Sequence, residues 1–258
     1  MTRVVSGAVL GAAALAAVLY LPLPGLRVLA CVVALLAAHE YLPLVRTGAG
    51  RERLLPLALV VVTCWWSSVA ATGGTLLVLV LLMLVAVAAE TLMWEVSFER
   101  IVAAFFPAWY IGLPLGLLVA LHAAGGYRAT VLLLATVVVS DSGQYYTGRA
   151  LGRRPLAPRI SPKKTLEGAV GGVLIGTGFV TLAGGWAIPT ASWTSLAALG
   201  AVLVVVGICG DLFESRLKRS AGIKDSSSLI PGHGGVLDRI DALLFAAPAF
   251  YVYLRWVA

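Results

Sequence analysis

The sequence predicts an all-α polytopic integral membrane protein, with about nine transmembrane helices and a cytoplasmic N-terminus. Three observations predict it. The first is composition: 60% of the 258 residues are hydrophobic, 12% are charged, and the mean hydropathy is +0.96. A soluble domain is about 25% charged. A soluble core of this size could not hide so much apolar surface, whereas a bilayer can. The second is a series of apolar runs, each near the length that crosses about 30 Å of hydrocarbon. The third is the placement of the basic residues.

The runs follow in order. Residues 4–21 are rich in Ala and Val; further spans follow at once with no clear cleavage site, so this is read as a retained helix and not a signal peptide. "LPLPG" at 21–25 separates it from run 27–45, which holds Cys31, His39 and Glu40. "TGAGRER" at 47–53 precedes run 54–71, and "TGG" at 72–74 precedes run 75–93. Run 101–122 ends at "AAGG", 123–126. Run 128–146 carries Asp141 late, and run 168–188 contains "GGVLIG". Run 194–212 ends on Asp211, and run 237–256 opens with Asp238 and Asp241. Pro and Gly in the breaks are the expected punctuation. Cys31, Cys64 and Cys209 all sit inside apolar runs without metal-ligand spacing, so packing is their expected role.

With the N-terminus inside, sixteen of the nineteen Lys and Arg fall on the cytoplasmic side, and only Arg27, Arg128 and Arg255 fall outside. That bias follows the positive-inside rule. It also explains the net charge of +7 without nucleic acid as a partner. Two connections, 147–167 and 213–236, are longer and far more polar than the others. Both are expected to be cytoplasmic loops, and long loops on an economical scaffold concentrate function. The division expected is a scaffold of helices, 1–130, and a functional region, 131–258.

Asp141, Asp211, Asp238 and Asp241 all fall near one predicted membrane level, beside those loops. Ionisable groups in or at the edge of spans are costly and mark functional sites. Asp238 and Asp241 are i, i+3, and Asp211, Glu214, Ser215 and Lys218 form one helical stripe. There is no Cys/His zinc set, no G-x-S-x-G and no P-loop. Clustered Asp suits Mg²⁺, which takes one or two carboxylates plus substrate phosphates. Clustered Lys and Arg suit phosphate oxygens. A Gly-rich turn such as "PGHGG" lets backbone N–H groups approach phosphates. The expectation is Mg²⁺-dependent chemistry on a phosphorylated substrate at the cytoplasmic membrane face.

Three segments carry a resemblance. They are Ser215-Arg216-Leu217-Lys218-Arg219, Lys224-Asp225, and "PGHGGVLDRID" at 231–241. Together they span 27 positions, 215 to 241, and look like the signature of the phosphatidate cytidylyltransferases, also called CDP-diacylglycerol synthases. The stretch "SDSGQYYTGRALGRRPLAPRISPKKTLEGAVGG", 140–172, is similar to that family's upstream block, with Ser142 and Gln144 departing from its pattern. Residues before about 130 resemble the family only as a run of membrane spans.

The resemblance implies that CTP and phosphatidate, with Mg²⁺, give CDP-diacylglycerol and pyrophosphate. It implies catalytic roles for Asp211, Asp238, Lys218 and Lys224. Substrate contacts are expected from Ser140, Asp141, Lys163, Lys164, Ser215, Arg219, His233, Gly234 and Arg239. Metal ligation is expected from Asp211 and Asp238 first, then Asp141 and Asp241, and four carboxylates leave room for a second cation. Ser161 and Thr165 are alternatives for a helix cap, and Ser226, Ser227 and Ser228 for a merely solvated loop. The bilayer of the cell inner membrane is the expected location, multi-pass, with the site facing the cytoplasm. Small-residue spacing in "GGVLIG" leaves room for a homodimer. Two competitors remain: a CTP-dependent lipid-alcohol kinase, which would release CDP, and a transporter. A transporter would spread its acids through the membrane depth, where only Glu40 and Glu90 lie apart from the four aspartates.

Overall fold

The computed structural model describes residues 2–45, 53–69, 80–81, 83–88, 98–227, 229 and 234–257. The chain packs as two compact units, Met1–Ala120 with Ser220–Arg239, and Leu121–Arg219 with Ile240–Ala258. The 220–239 connection therefore belongs with the N-terminal helices and not with the C-terminal region.

In the first unit, helix α1 covers Thr2–Tyr20, α2 Leu23–Leu44, α3 Leu54–Val69 and α4 Phe98–Pro107. Pro22, at φ −65°, starts α2, where a missing N–H costs nothing. After Pro107 the chain widens into a π turn, Ala108–Gly112, whose following N–H reaches back from Leu113 to the Ala108 carbonyl. Pro114 comes next and has no N–H for the i→i−4 ladder, which accounts for the irregular turn at this point. Small residues then admit α3: a Cβ at Gly112 would lie 2.6 Å from the Val60 carbonyl oxygen. Tyr41, Phe106 and Tyr110 form an aromatic cluster with ring centroids 5.6–6.4 Å apart. Most of the expected fourth span, 75–93, lies outside the described residues.

Helix α5, Leu113–Leu151, is interrupted by Gly126 at φ 69°, ψ −173°, a conformation that suits glycine. The interruption falls in the "AAGG" break. From Leu121 on, α5 belongs to the second unit, with α6 (Leu166–Ala187), α7 (Trp193–Ser220) and the part of α8 (Leu237–Trp256) that begins at Ile240. The glycines of "GGVLIG" are used within this unit. Side chains at Gly171 and Gly172 would overlap Thr147 and Gln144 of α5, and one at Gly176 would overlap Val204 of α7. The opposite side of α6 is apolar and open, with Leu174 69% and Leu182 76% exposed, as a lipid-facing surface requires.

The polar connections are shorter than the sequence suggests. Helix α5 runs on to Leu151, and a two-stranded antiparallel hairpin follows, β1 Pro155–Ala157 and β2 Ser161–Thr165. Pro155, Pro158 and Pro162 make this segment unsuitable for helix. Helix α7 continues to Ser220, well past 213, because no breaker intervenes before Gly222 at φ 76°. Thr165 accepts from the Gly168 N–H at 3.1 Å and caps α6. Thr165→Ala is therefore expected to cost about 1 kcal/mol, read as a lower melting temperature in detergent.

Among the described residues four helical stretches are long and apolar enough to cross a membrane: Leu23–Leu44, Ile101–Leu151, Leu166–Ala187 and Trp193–Ser220. Ser6–Tyr20 and Leu54–Val69 are shorter apolar helices.

Candidate active site

The second unit holds a cavity of about 470 Å³. Helix α5 lines it with Asp141, Gln144, Tyr145, Gly148 and Arg149, spaced i, i+3, i+4, i+7 and i+8 along one face. The hairpin adds Ser161, Lys163, Lys164 and Thr165, and α6 adds Gly168 and Ala169. Asp211 comes from α7. Gly168 sits where α5 and α6 approach closely: a Cβ there would lie 2.8 Å from the Gln144 carbonyl oxygen. Small residues thus bring the two helices together beneath the cavity.

Its charges are paired across elements. The Lys164 ammonium forms an ion pair with the Asp211 carboxylate. Ser215, one turn on, donates to the other Asp211 oxygen at 3.4 Å. Asp241 interacts electrostatically with Asp211, Asp141 and Lys164, and its carboxylate accepts from the Ala242 N–H at 2.7 Å. Helices α7 and α8 meet closely at this level, where a Cβ on Gly210 would lie 2.5 Å from the Asp241 carbonyl oxygen. Gln144 donates to Asp141 at 3.0 Å. Three of the four predicted aspartates, with Lys164, are therefore neighbours in one unit.

The hairpin that presents the lysines is held at both ends. Glu167 accepts from the N–H groups of Arg153 and Arg154 at 3.0 and 3.2 Å. Arg219 donates to the Ile160 carbonyl at 3.3 Å. Arg219 thus braces the hairpin and is not among the residues that line the cavity.

Lys218 and Ser140, also expected at the substrate, have partners within the protein. Lys218 pairs with Glu214 at 2.5 Å, and Glu214 is completely buried. A buried carboxylate needs a partner charge, and Lys218 supplies it. Ser140 is buried and donates to the Val137 carbonyl at 3.1 Å, so its hydroxyl is bonded to its own helix.

Asp238 lies in the first unit, with the loop that precedes it. Its Oδ2 accepts from the Ser226 N–H at 2.9 Å, the Ser226 hydroxyl at 2.8 Å and the Gly235 N–H at 2.8 Å. Gly234 adopts φ 76°, and a Cβ there would lie 2.5 Å from the same Asp238 oxygen. The Gly-rich turn was expected to turn its N–H groups toward phosphate. Those of Gly235, Val236 and Leu237 go to carboxylates of the protein: Asp238 takes the first and Glu40 the other two. Ser227 donates to Glu40, and the single Ser226 hydroxyl lies within hydrogen-bonding distance of both Glu40 and Asp238, so both serines are more than a solvated loop. Glu40, set apart in the sequence as a remote acid, is the loop's anchor. Its signal was a charge in an apolar run; its partners lie 186 to 197 residues away in sequence. Lys224 and Arg239 are exposed. His233 lies outside the described residues.

A family model described as "Cytidylyltransferase family" matches residues 1–257. The chain is 48% identical over 134 residues to a phosphatidate cytidylyltransferase of Pseudomonas aeruginosa, covering 50% of this chain and 49% of that one. It is 41% identical over 138 residues to the enzyme of that name from Haemophilus influenzae, covering 51% and 48%. It is 40% identical over 149 residues to the uncharacterized protein YnbB of Escherichia coli, covering 58% and 48%. The chain spans about half the length of these curated relatives.

Proposed function

Because the chain belongs to the cytidylyltransferase family, we propose that it transfers the cytidylyl group of CTP to phosphatidate, giving CDP-diacylglycerol and pyrophosphate. The observation that carries this is the mixed-charge cavity, where Lys163, Lys164 and Arg149 stand beside Asp141 and Asp211. The cations fit phosphate oxygens. The carboxylates fit a hard divalent ion. Among the described residues no three acids, histidines or cysteines form a ready-made cage. That donor set suits Mg²⁺ held by one or two carboxylates and completed by substrate phosphates. Asp211, neighboured by Asp141 and Asp241, is the residue proposed to hold it. When bound, Mg²⁺ would neutralise charge on the nucleotide phosphates.

The remaining work is positioning. A phosphatidate oxygen, already anionic near neutral pH because a second phosphate proton leaves at about 6, attacks the α-phosphorus of CTP. The bond to the bridging oxygen breaks and pyrophosphate departs with the electron pair. No side chain need act as base, which agrees with a cavity of Asp, Lys and Arg. Lys164 is proposed to exchange its Asp211 partner for a phosphate oxygen when substrate enters. Lys224 and Arg239, both exposed, are proposed to bind phosphate. The site is proposed to face the cytoplasm from a bacterial inner membrane.

The test is an assay of the full chain in detergent with α-labelled CTP, phosphatidate and Mg²⁺. Label in CDP-diacylglycerol, with equimolar pyrophosphate, is expected. Folded protein that forms neither overturns the proposal. So does release of CDP with a phosphorylated lipid, the outcome for a lipid-alcohol kinase.

A further inference from the structure

Gln144 stands where this chain departs from the family's upstream block. Its side chain is fixed at two points within the second unit. The methylene stem lies against the bare backbone of Gly172 on α6, in space that a Cβ there would fill. The carboxamide NH₂ donates to Asp141 Oδ1 at 3.0 Å, one helical turn back on α5. An ionised carboxylate only accepts, so the amide nitrogen and not the amide oxygen faces it. Both residues line the cavity.

Asp141 needs such a hold. It is exposed, so packing alone does not fix its carboxylate. It also shares the electrostatic neighbourhood of Asp241 with Asp211. Like charges favour the conformers that spread them apart. A donor rooted on α5 and bedded against α6 opposes that spreading. On an open helix face a glutamine samples many rotamers; with its stem against Gly172 it has few.

We propose that Gln144 is a positioning residue, which holds Asp141 beside Asp211 and Asp241 in readiness for the divalent ion that accompanies CTP. This rests on the proposed activity. Gln144 touches no reacting atom; it acts through Asp141. Preorganisation of this kind is read in binding, because less order has to be imposed when the nucleotide and its cation arrive. A residue that only packed α5 against α6 would act through its stem, and an apolar side chain of similar length would replace it.

The experiment uses the full chain in detergent and compares wild type, Gln144→Met, Gln144→Glu and Asp141→Asn, with phosphatidate omitted so that no turnover occurs. Calorimetry reads the dissociation constant for the Mg²⁺ complex of CTP, and a melting curve reads folding. Methionine keeps the stem and lacks the donor. It is expected to weaken binding about fivefold, the scale of one hydrogen bond, at an unchanged melting temperature. Glutamate puts a like charge beside Asp141 and is expected to weaken binding further. In the Asp141→Asn background, Gln144→Met is expected to add little, because the group it acts through has lost its charge. With phosphatidate restored, KM for CTP should rise by the same factor while kcat changes little. Wild-type affinity in Gln144→Met overturns the proposal. So does a loss that follows the melting temperature, or one that adds in full to that of Asp141→Asn. If Gln144→Met does not fold, Gln144→Glu decides by the same readouts. Wild-type protein that binds the complex but makes no CDP-diacylglycerol sinks the assigned activity, while the binding comparison still judges Gln144. Wild-type protein that binds no complex overturns both.

Discussion

Asp211→Asn is expected to reduce CDP-diacylglycerol formation by about 10²- to 10³-fold or more, the loss typical of removing one preorganised electrostatic group from a reacting centre. The substitution keeps size and shape and removes the charge. Asp211 is where three local features meet: the ion pair with Lys164, the hydroxyl of Ser215, and the electrostatic neighbourhood of Asp241. With asparagine there, Lys164 faces a neutral group, and a divalent ion loses the carboxylate proposed to hold it. Initial rates over a Mg²⁺ titration check this, with the detergent melting curve as the control for folding. A variant within tenfold of wild type at saturating Mg²⁺ would remove Asp211 from the metal site.

Gly210→Leu is expected to be the most damaging change next to the cavity, and for a different reason. The site for its Cβ is already taken by the Asp241 carbonyl oxygen at 2.5 Å and the Phe245 ring at 3.0 Å. The first is backbone and cannot rotate away, so α7 and α8 must separate. Overpacking of this kind costs about 1–3 kcal/mol, occasionally more, and the upper end is expected here. Separation at this level also moves Asp211 from Asp241, so activity should fall further than stability alone explains. A thermal melt with the rate measured well below the transition separates the two effects. Retention of wild-type stability would show that the helices have slack at this crossing.

Part of this is legible in the sequence. Asp141, Asp211, Asp238 and Asp241 are expected to converge, with Lys164 beside them; Asp141, Asp211, Asp241 and Lys164 lie together in one unit, and Asp238 lies in the other. Their visibility has a simple cause: charges in an apolar chain stand out whatever the fold. The cap at Thr165 was equally readable, being a local relation of three residues. What could not be read is where each charge spends itself. Lys218 and Lys164 look alike in sequence, yet one serves buried Glu214 and the other serves the cavity. Glu40 looked remote because its partners are far along the chain, and spacing rules reach only a few turns. The hairpin was hidden because two strands of three and five residues leave almost no periodic signal.

The adjacent lysines sit on β2, which pairs with β1 through Pro155 opposite Thr165 and Ala157 opposite Ser161, with an irregularity between the two pairs. Successive strand residues point to opposite sides. Lys164 therefore turns in to Asp211 while Lys163 stays exposed. Both line the cavity, yet only Lys164 is spent on an ion pair within the protein, which leaves Lys163 the more open of the two cations. Neighbours of one residue type are thus held ready in two different states by strand parity.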